Sequence, residues 1–174
     1  MRGAGARAVG GLRRMATAAG LAALLGATAP SSCGLYALGP GSRVVEGCFA
    51  PCMCPIGIDD ALHGFLVLEP VAGNPADPVR HFEVLWVRWT YEFATGEPLW
   101  VTGSGTYDVG GEFAIAQRLA LDLAVGDEPV AHYDSGTVPG GSTADRFPPI
   151  DVAISRNGQR CYDRVFTLHA APLL

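Results

Sequence analysis

Glycine and proline recur so often along this chain that a long helix is disfavoured. The sequence of 174 residues contains 23 glycines and 13 prolines. Both residues are poor helix formers and both are common in turns. Between them lie short segments rich in valine, phenylalanine, tryptophan and threonine, which favour strands. The sequence therefore predicts an all-β fold, with helix scarce after residue 32.

About eight strands are predicted, and their sequential order favours a meander of mostly antiparallel strands. Glycine-containing turn signals separate successive segments at Thr95-Gly96, Gly110-Gly111, Gly126-Asp127 and Asn157-Gly158. The predicted strands span residues 43–47, 62–68, 81–93, 99–107, 113–125, 129–133, 150–155 and 161–169. Such a meander can form a closed barrel or a two-sheet sandwich, and the sequence leaves both open.

Two of these strands carry different apolar patterns. The strand 113–125 alternates, which predicts one face in the core and one in water. Its predicted core face consists of Phe113, Ile115, Leu119, Leu121, Leu123 and Val125. The strand 81–93 is apolar on both faces, which predicts a central strand or one whose second face is covered. Long loops are predicted at 70–78 and 135–149, which are rich in glycine, proline and small polar residues.

The first 32 residues have the pattern of an export signal. Four arginines at positions 2, 7, 13 and 14 precede an uncharged run, 15–29, composed mainly of alanine, leucine and glycine. A basic start, an apolar stretch and then small residues are typical of a secretory signal. We therefore expect residues 1–32 to be an export signal and residues 33–174 to form a single β domain in the periplasm, the cell envelope or the extracellular space.

Cys33 lies where a bacterial lipoprotein signal would place its acylated cysteine, directly after a stretch of small residues. Pro30 stands three positions before it, where such a signal usually has leucine. Lipidation of Cys33 and plain cleavage near Ser31 therefore both remain open. A lipid anchor at Cys33 would be the only expected link to a membrane.

The charge of the predicted mature chain excludes nucleic acid as a partner. Residues 33–174 keep eight arginines and all 17 acidic residues, which gives a net charge of −9. Such a surface repels nucleic acid phosphates. The expected partner is instead an unidentified molecule of the envelope or the extracellular space.

Four cysteines remain after residue 33, and three of them are clustered. They are Cys48, Cys52, Cys54 and Cys161. In an exported protein an even number of cysteines favours two disulfides, and three pairings are possible. Any pairing of Cys161 would tie the last strand to the first. The alternative is a soft-metal site for Cu or Zn made of the same four thiolates, and no other cofactor is predicted.

Other residues that could take part in chemistry are scattered along the sequence. The histidines His63, His81, His132 and His169 show no metal-binding spacing, and the carboxylate pairs Asp59-Asp60 and Asp127-Glu128 lack the further ligands of a calcium loop. Ser104 lies between two glycines but inside a predicted strand, whereas a nucleophilic serine of that pattern needs a strand-to-helix turn. No catalytic residue is predicted.

Five aromatic residues are concentrated in the middle of the chain, namely Trp86, Trp89, Tyr91, Phe93 and Trp100. They suit either the core of a small β domain or stacking against a sugar or another ligand. Core packing is the favoured interpretation.

Several segments together resemble a group of uncharacterised exported bacterial proteins. They are the C-x-x-P-C-x-C-P segment at 48–55, Gly64-Phe65, the V-R-W-T segment at 87–90 and the V-T-G-S-G-T-Y strand at 101–107. The resemblance implies export and a shared β domain, and it assigns no site residue.

The function expected from the sequence is that of an exported cell-envelope or secreted β domain with a structural or interaction role. The alternative is a small-ligand or soft-metal binding β-barrel lipoprotein. An enzymatic activity is left uncertain and is not favoured. A ligand-binding barrel would need an interior cavity of about 300 Å³ or more, whereas a structural domain would be filled by side chains.

Overall fold

The structure is a computed structural model that describes residues 33–54, 57–92 and 96–173. These residues belong to one compact unit. The predicted export signal at 1–32 lies outside the described residues.

The described residues form strands and connecting loops, which confirms the predicted all-β class. The strands are β1 Gly34–Leu38, β2 Arg43–Phe49, β3 Ile58–Ala61, β4 His63–Pro70, β5 Val79–Glu92, β6 Pro98–Gly110, β7 Ala116–Val125, β8 Ala131–Asp134, β9 Val138–Pro139, β10 Ile150–Ser155 and β11 Cys161–Pro172. Every strand pairing among them is antiparallel.

The hydrogen-bonded strands close into a ring. The order β1-β4-β5-β6-β7-β8-β10-β11 returns to β1, because β1 pairs with both β4 and β11. β1 and β2 occupy one position of the ring, because both pair with β11. β3 and β4 occupy the next position, because β3 pairs with β2 and β4 pairs with β1. The ring therefore has eight strand positions, which follow the order of the sequence. The predicted meander is thus present in its barrel form. Its weakest seam lies between β8 and β10, where Ser155 opposite Asp134 is the one residue pair.

Side chains fill the interior of this barrel. Seven large aromatic side chains are fully buried, namely Tyr36, Phe82, Trp89, Tyr91, Tyr107, Tyr133 and Phe166. Trp89 and Tyr133 both pack against Phe166, with ring centroids 5.8 Å and 5.3 Å apart. Alternate residues of β7, from Leu119 to Val125, face this core as predicted. Aromatic rings bury large apolar areas, so few residues suffice to fill a small barrel.

One end of the barrel is covered by residues 140–149, which we call the strap. The Arg80 guanidinium donates hydrogen bonds to the backbone carbonyl oxygens of Thr143, at 3.3 Å, Asp145, at 2.6 Å, and Arg146. Phe147 packs against the core cluster. The strap lies in the predicted long loop 135–149, which also contains the short strand β9.

Two buried tyrosines hold the last residues of the strap from inside the barrel. The Tyr36 hydroxyl donates to the carbonyl oxygen of Pro148 at 2.9 Å, and the Tyr107 hydroxyl donates to that of Pro149 at 3.3 Å. Burial raises the pKa of both hydroxyls, that of Tyr107 to about 12. Both therefore remain protonated donors at neutral pH.

The loop between β6 and β7 differs from the prediction. β7 begins at Ala116, and Phe113 is 99% exposed in the loop before it, so its assignment to the core face was wrong, as was that of the exposed Ile115. Gly110 and Gly111 both have positive φ, 146° and 149°. A Cβ at Gly110 would lie 2.1 Å from the carbonyl oxygen of Pro78, so this close approach requires glycine. The alternating pattern carried no signal of where the strand starts.

The last hairpin was predicted correctly, with β10 ending at Ser155 and β11 beginning at Cys161, but Asn157-Gly158 does not form the tight turn that this pair favours. Five residues separate β10 from β11, and Asn157 is not among the residues with positive φ. The carboxylate of the buried Asp163 organises this loop by accepting hydrogen bonds from the backbone N–H groups of Arg156, Asn157 and Gln159. A side chain on β11 thus replaces the tight turn that Asn-Gly alone predicts.

Candidate functional site

Four side chains on the outside of the barrel form what we call the aromatic face. They are Phe65 on β4, Trp86 and Arg88 on β5, and Trp100 on β6. Trp86 is 42% exposed and Trp100 is 48% exposed. The strand register places Phe65 opposite Arg88. The aromatic face is therefore continuous across three neighbouring strands.

Each indole of the aromatic face is supported by a neighbour. Phe65 meets Trp86 edge to face, with ring centroids 5.1 Å apart and planes at 81°. The Arg88 guanidinium carbon lies 4.8 Å from the centroid of the Trp100 ring. Both geometries are attractive for aromatic rings. The supporting contacts restrict the rotamers of the two tryptophans while leaving much of each ring open to solvent.

A β-bulge explains why Trp86 faces outward although Val84, two residues before it, faces the core. The register between β5 and β6 shifts between Val84 and Val87. Leu85 and Trp86, the two residues in the bulge, are both exposed, whereas Val84 and Val87 are buried. A bulge inserts one extra residue and so reverses the inward and outward alternation beyond it. This is the physical reason for the apolar pattern on both faces of the predicted strand 81–93.

The five aromatic residues considered from the sequence therefore separate into two groups. Trp89 and Tyr91 are buried in the core, as the favoured interpretation predicted, and burial raises the pKa of Tyr91 to about 12. Trp86 and Trp100 are exposed, so core packing does not explain them. Phe93 lies outside the described residues.

A shallow groove of about 340 Å³ adjoins the aromatic face at the bulge. Its lining includes Glu83, Leu85, Ser104 and Thr106. Ser104 is an exposed residue within β6, opposite Asp122, which agrees with its prediction as a strand residue without a nucleophile turn. The glycines beside Ser104 allow close strand packing, because a Cβ at Gly105 would lie 2.1 Å from the carbonyl oxygen of Ala120.

The three clustered cysteines and the distant Cys161 form two disulfides. Cys48 pairs with Cys54, and Cys52 pairs with Cys161, with Cα atoms 5.2 Å and 4.8 Å apart. The second bond joins the start of β11 to the loop after β2, as expected from the position of Cys161. The pairing is consistent with an oxidising location. A soft-metal site made of these thiols would require both disulfides to be reduced.

The histidines lie on four different strands, and none faces another. The residues opposite them across strand pairs are Thr90, for His63, and three aspartates, Asp108, Asp122 and Asp151. His81 Nδ1 lies 2.7 Å from the Asp108 carboxylate, and this hydrogen bond raises the pKa of His81. His132 and His169 form similar pairs with Asp122 and Asp151, at 2.8 Å and 3.0 Å. The four residues therefore do not form one site.

One carboxylate of each adjacent pair considered from the sequence forms an ion pair with an arginine. Asp59 accepts a hydrogen bond from Arg43 Nε at 2.9 Å on the surface. Glu128 binds Arg164 with both carboxylate oxygens, at 2.8 Å and 2.9 Å. Within 33–54, 57–92 and 96–173, no three histidine, cysteine, aspartate or glutamate side chains are placed to hold a metal ion.

Arg164 is a buried charged residue that the sequence reasoning missed. It lies at the end of the barrel opposite the strap, and its Nε donates to Glu46 at 2.5 Å while its two terminal nitrogens donate to Glu128. Glu46 also accepts a hydrogen bond from the Tyr162 hydroxyl at 2.7 Å. Arg164, Phe166 and Leu168 are alternate residues of β11 and are all buried. This alternation was the sequence signal that could have placed Arg164 on the inward face.

Open clefts lie at both ends of the barrel. One of about 350 Å³ surrounds Arg164 and includes Arg156 and Tyr162 in its lining. Another of about 630 Å³ has a mainly apolar lining that includes Cys33, Leu35, Phe147 and Leu173. Both are open to solvent and neither is the interior cavity that a ligand-binding barrel was expected to have.

Among the residues that the structure describes, no helix has the length and apolar character needed to cross a membrane. Comparison of the chain with protein families, with curated proteins and with solved structures found no match.

Proposed function

We propose that this chain is an exported cell-envelope or secreted β domain whose role is to bind a partner through its surface rather than to catalyse a reaction. The observation that carries the proposal is the aromatic face. Trp86 and Trp100 are exposed on two neighbouring strands, β5 and β6, on the outside of a barrel whose interior is filled by side chains. Apolar residues scattered singly over a surface are normal, whereas a contiguous apolar patch on the outside of a domain is typical of an interaction site.

Export is supported by the predicted signal at 1–32 and by the two disulfides, which suit an oxidising compartment. Lipidation of Cys33 remains part of the proposal. In a lipoprotein this residue would be the first of the mature chain, and the apolar cleft that includes Cys33 and Leu35 would lie at the attachment point.

The same cleft favours the alternative function, a small-ligand binding lipoprotein. Its volume of about 630 Å³ and its apolar lining, with Phe147 and Leu173, fall within the usual range for ligand sites. The cleft lies outside the barrel interior and is open to solvent. It therefore supports a ligand-binding function less than an enclosed pocket would.

The intact mass of the protein exported from a bacterial host tests the export, disulfide and lipidation parts of this proposal. It is recorded under native and denaturing conditions, with and without reduction. We expect a chain that begins at or near Cys33 and that gains four hydrogens on reduction. A diacyl or triacyl mass that disappears in the Cys33→Ala variant would establish the lipoprotein form.

Three results would overturn the proposal or its parts. A full-length chain that is retained in the cytoplasm with Cys48, Cys52, Cys54 and Cys161 all reduced would contradict export. A metal ion bound to the reduced thiols in the native spectrum would establish the soft-metal alternative. A stoichiometric small molecule that is lost on denaturation would establish the small-ligand alternative.

A further inference from the structure

We propose that the aromatic face binds a neutral polysaccharide. This inference rests on the proposed interaction role and names the chemical class of the partner. The C–H groups on the flat side of a sugar ring pack against an aromatic ring, while the hydroxyl groups around its edge need hydrogen-bonding partners. A polysaccharide site therefore combines exposed aromatic rings with a row of small polar side chains.

The aromatic face provides rings that are already positioned. Trp86 is supported by Phe65, and Trp100 is supported by Arg88. All four residues lie on paired strands of the barrel rather than on loops. Because the side chains are held before binding, less conformational entropy is lost when a ligand packs on them.

Hydroxyl-bearing side chains lie beside the two indoles. Thr102, Ser104 and Thr106 occupy successive outward positions of β6 and are exposed, and Trp100 precedes them in the same series. Ser104 and Thr106 also line the groove at the bulge, together with Glu83. Hydroxyl groups can donate and accept hydrogen bonds, which matches the edge of a sugar ring.

The size of the exposed aromatic area favours a sugar over a stable protein partner. Two indoles that are 42% and 48% exposed leave on the order of 200 Å² open, taking about 250 Å² for each ring. A stable protein interface buries about 800 Å² on each partner. The aromatic area is thus a small part of such an interface, but it suffices for several sugar rings.

The charges around the face favour a neutral ligand. Glu83 lines the groove, and Asp122 lies opposite Ser104 on the neighbouring strand. Residues 33–174 carry a net charge of −9. Arg88, the cation of the face, is engaged with Trp100. An anionic polymer or an anionic membrane would be repelled, whereas neutral hydroxyl groups can donate to the carboxylates.

The strand register sets the length of ligand required. Trp100 lies opposite Thr90, which is four residues along β5 from Trp86. Four residues of strand and one strand spacing place the two Cα atoms about 14 Å apart. This distance exceeds one sugar ring, so a ligand that contacts both indoles must be a chain of several sugar units.

Affinity gel electrophoresis tests the inference with the exported, disulfide-bonded protein. The probes are soluble β-1,4-glucan, β-1,3-glucan, xylan, arabinogalactan and glycogen, with carboxymethylcellulose as the anionic counterpart. We expect retardation by at least one neutral polysaccharide, less retardation by carboxymethylcellulose, and tighter binding of a hexasaccharide than of a disaccharide of the retarding polymer.

The variants Trp86→Ala and Trp100→Ala, alone and combined, locate the site. We expect the double variant to lose at least tenfold in affinity. Phe113→Ala is the matched control, because this aromatic residue is 99% exposed in a loop away from the aromatic face, and it should bind like the parent. Near-ultraviolet circular dichroism and thermal melts establish that each variant is folded.

Absence of retardation by every neutral polysaccharide would overturn the inference, as would equal binding by the folded double variant. A parent that is dimeric in sedimentation and a double variant that is monomeric would instead identify the face as a contact between copies of this chain. Either result would leave the proposed export intact if the mass measurement supports it, so failure of the sugar inference is distinguishable from failure of export.

Discussion

Arg164 closes one end of the barrel with a buried charge, and loss of its partners would destabilise the fold. Its side chain is 9% exposed, and it lies between Glu46, whose side chain is 14% exposed, and the more accessible Glu128. A buried charge is stable only while it is paired. The pKa of Glu128 is lowered, chiefly by its hydrogen bonds with Arg164. The three residues join β2, β11 and the loop after β7.

We expect Arg164→Met to lower the free energy of unfolding by about 3 kcal/mol, because it leaves the Glu46 carboxylate buried without its partner. Urea unfolding with the disulfides intact measures this loss. Arg43→Met is the matched control, since Arg43 pairs with Asp59 on the surface with both side chains about half exposed. A surface pair of this kind stabilises by less than about 1 kcal/mol. Equal losses in the two variants would contradict the argument.

The direction in which a single residue points could be predicted only where the strand is regular. The alternation of β7 located Leu119 to Val125 in the core because a long regular strand has a fixed period. The same reasoning could not show that Trp86 lies on the face opposite to Val84, because a bulge changes the phase and depends on the partner strand. The aromatic face therefore became visible only when the register of β5 with β6 was known.

At the scale of an element, one side chain makes three hydrogen bonds to the strap. Arg80 donates to three backbone carbonyl oxygens, including that of Arg146, which belongs to the peptide bond that trypsin would cleave. We expect Arg80→Gln to speed tryptic cleavage after Arg146 by about tenfold. A hydrogen bond from a charged donor stabilises by about 1.5 kcal/mol or more, and proteolysis follows the population of the opened segment.

Arg118→Gln provides the comparison for this variant. Arg118 is also on the outer surface, but it pairs with the Asp134 side chain and donates nothing to the strap. Cleavage after Arg146 should proceed in this variant at the parental rate, as followed by mass spectrometry of the fragments. Slow cleavage in Arg80→Gln would mean that Tyr36, Tyr107 and Phe147 hold the strap without Arg80.

The elements that the sequence failed to predict are short ones whose stability comes from pairing. β1 has five residues and β3 has four, and neither has a long alternating pattern. β1 is nevertheless bonded on both sides, to β4 and to β11. Strand formation at such segments is decided by neighbours distant in sequence, which local propensity does not report.

At the scale of the whole molecule, the barrel closes by joining the beginning of the described chain to its end. β11 pairs with both β1 and β2, so the last strand completes the ring. The sequential turn signals predicted the meander, but the choice between barrel and sandwich depended on this final pairing. The Cys52–Cys161 disulfide lies beside it, where Cys161 is opposite Phe49.

The two disulfides should therefore differ in their effect on stability. They span sequence separations of 109 and 6 residues. The loop-closure model gives about 4.8 kcal/mol for the longer loop and about 2.4 kcal/mol for the shorter one. We expect the Cys52→Ser, Cys161→Ser pair of substitutions to lower the free energy of unfolding by about 2 kcal/mol more than the Cys48→Ser, Cys54→Ser pair does. Urea unfolding of both double variants measures the difference, and each serves as the control for the other, because each removes one disulfide together with both of its cysteines. Equal losses would mean that the unfolded chain already keeps its ends close together, and that closure of the barrel does not depend on the covalent link between β11 and the loop after β2.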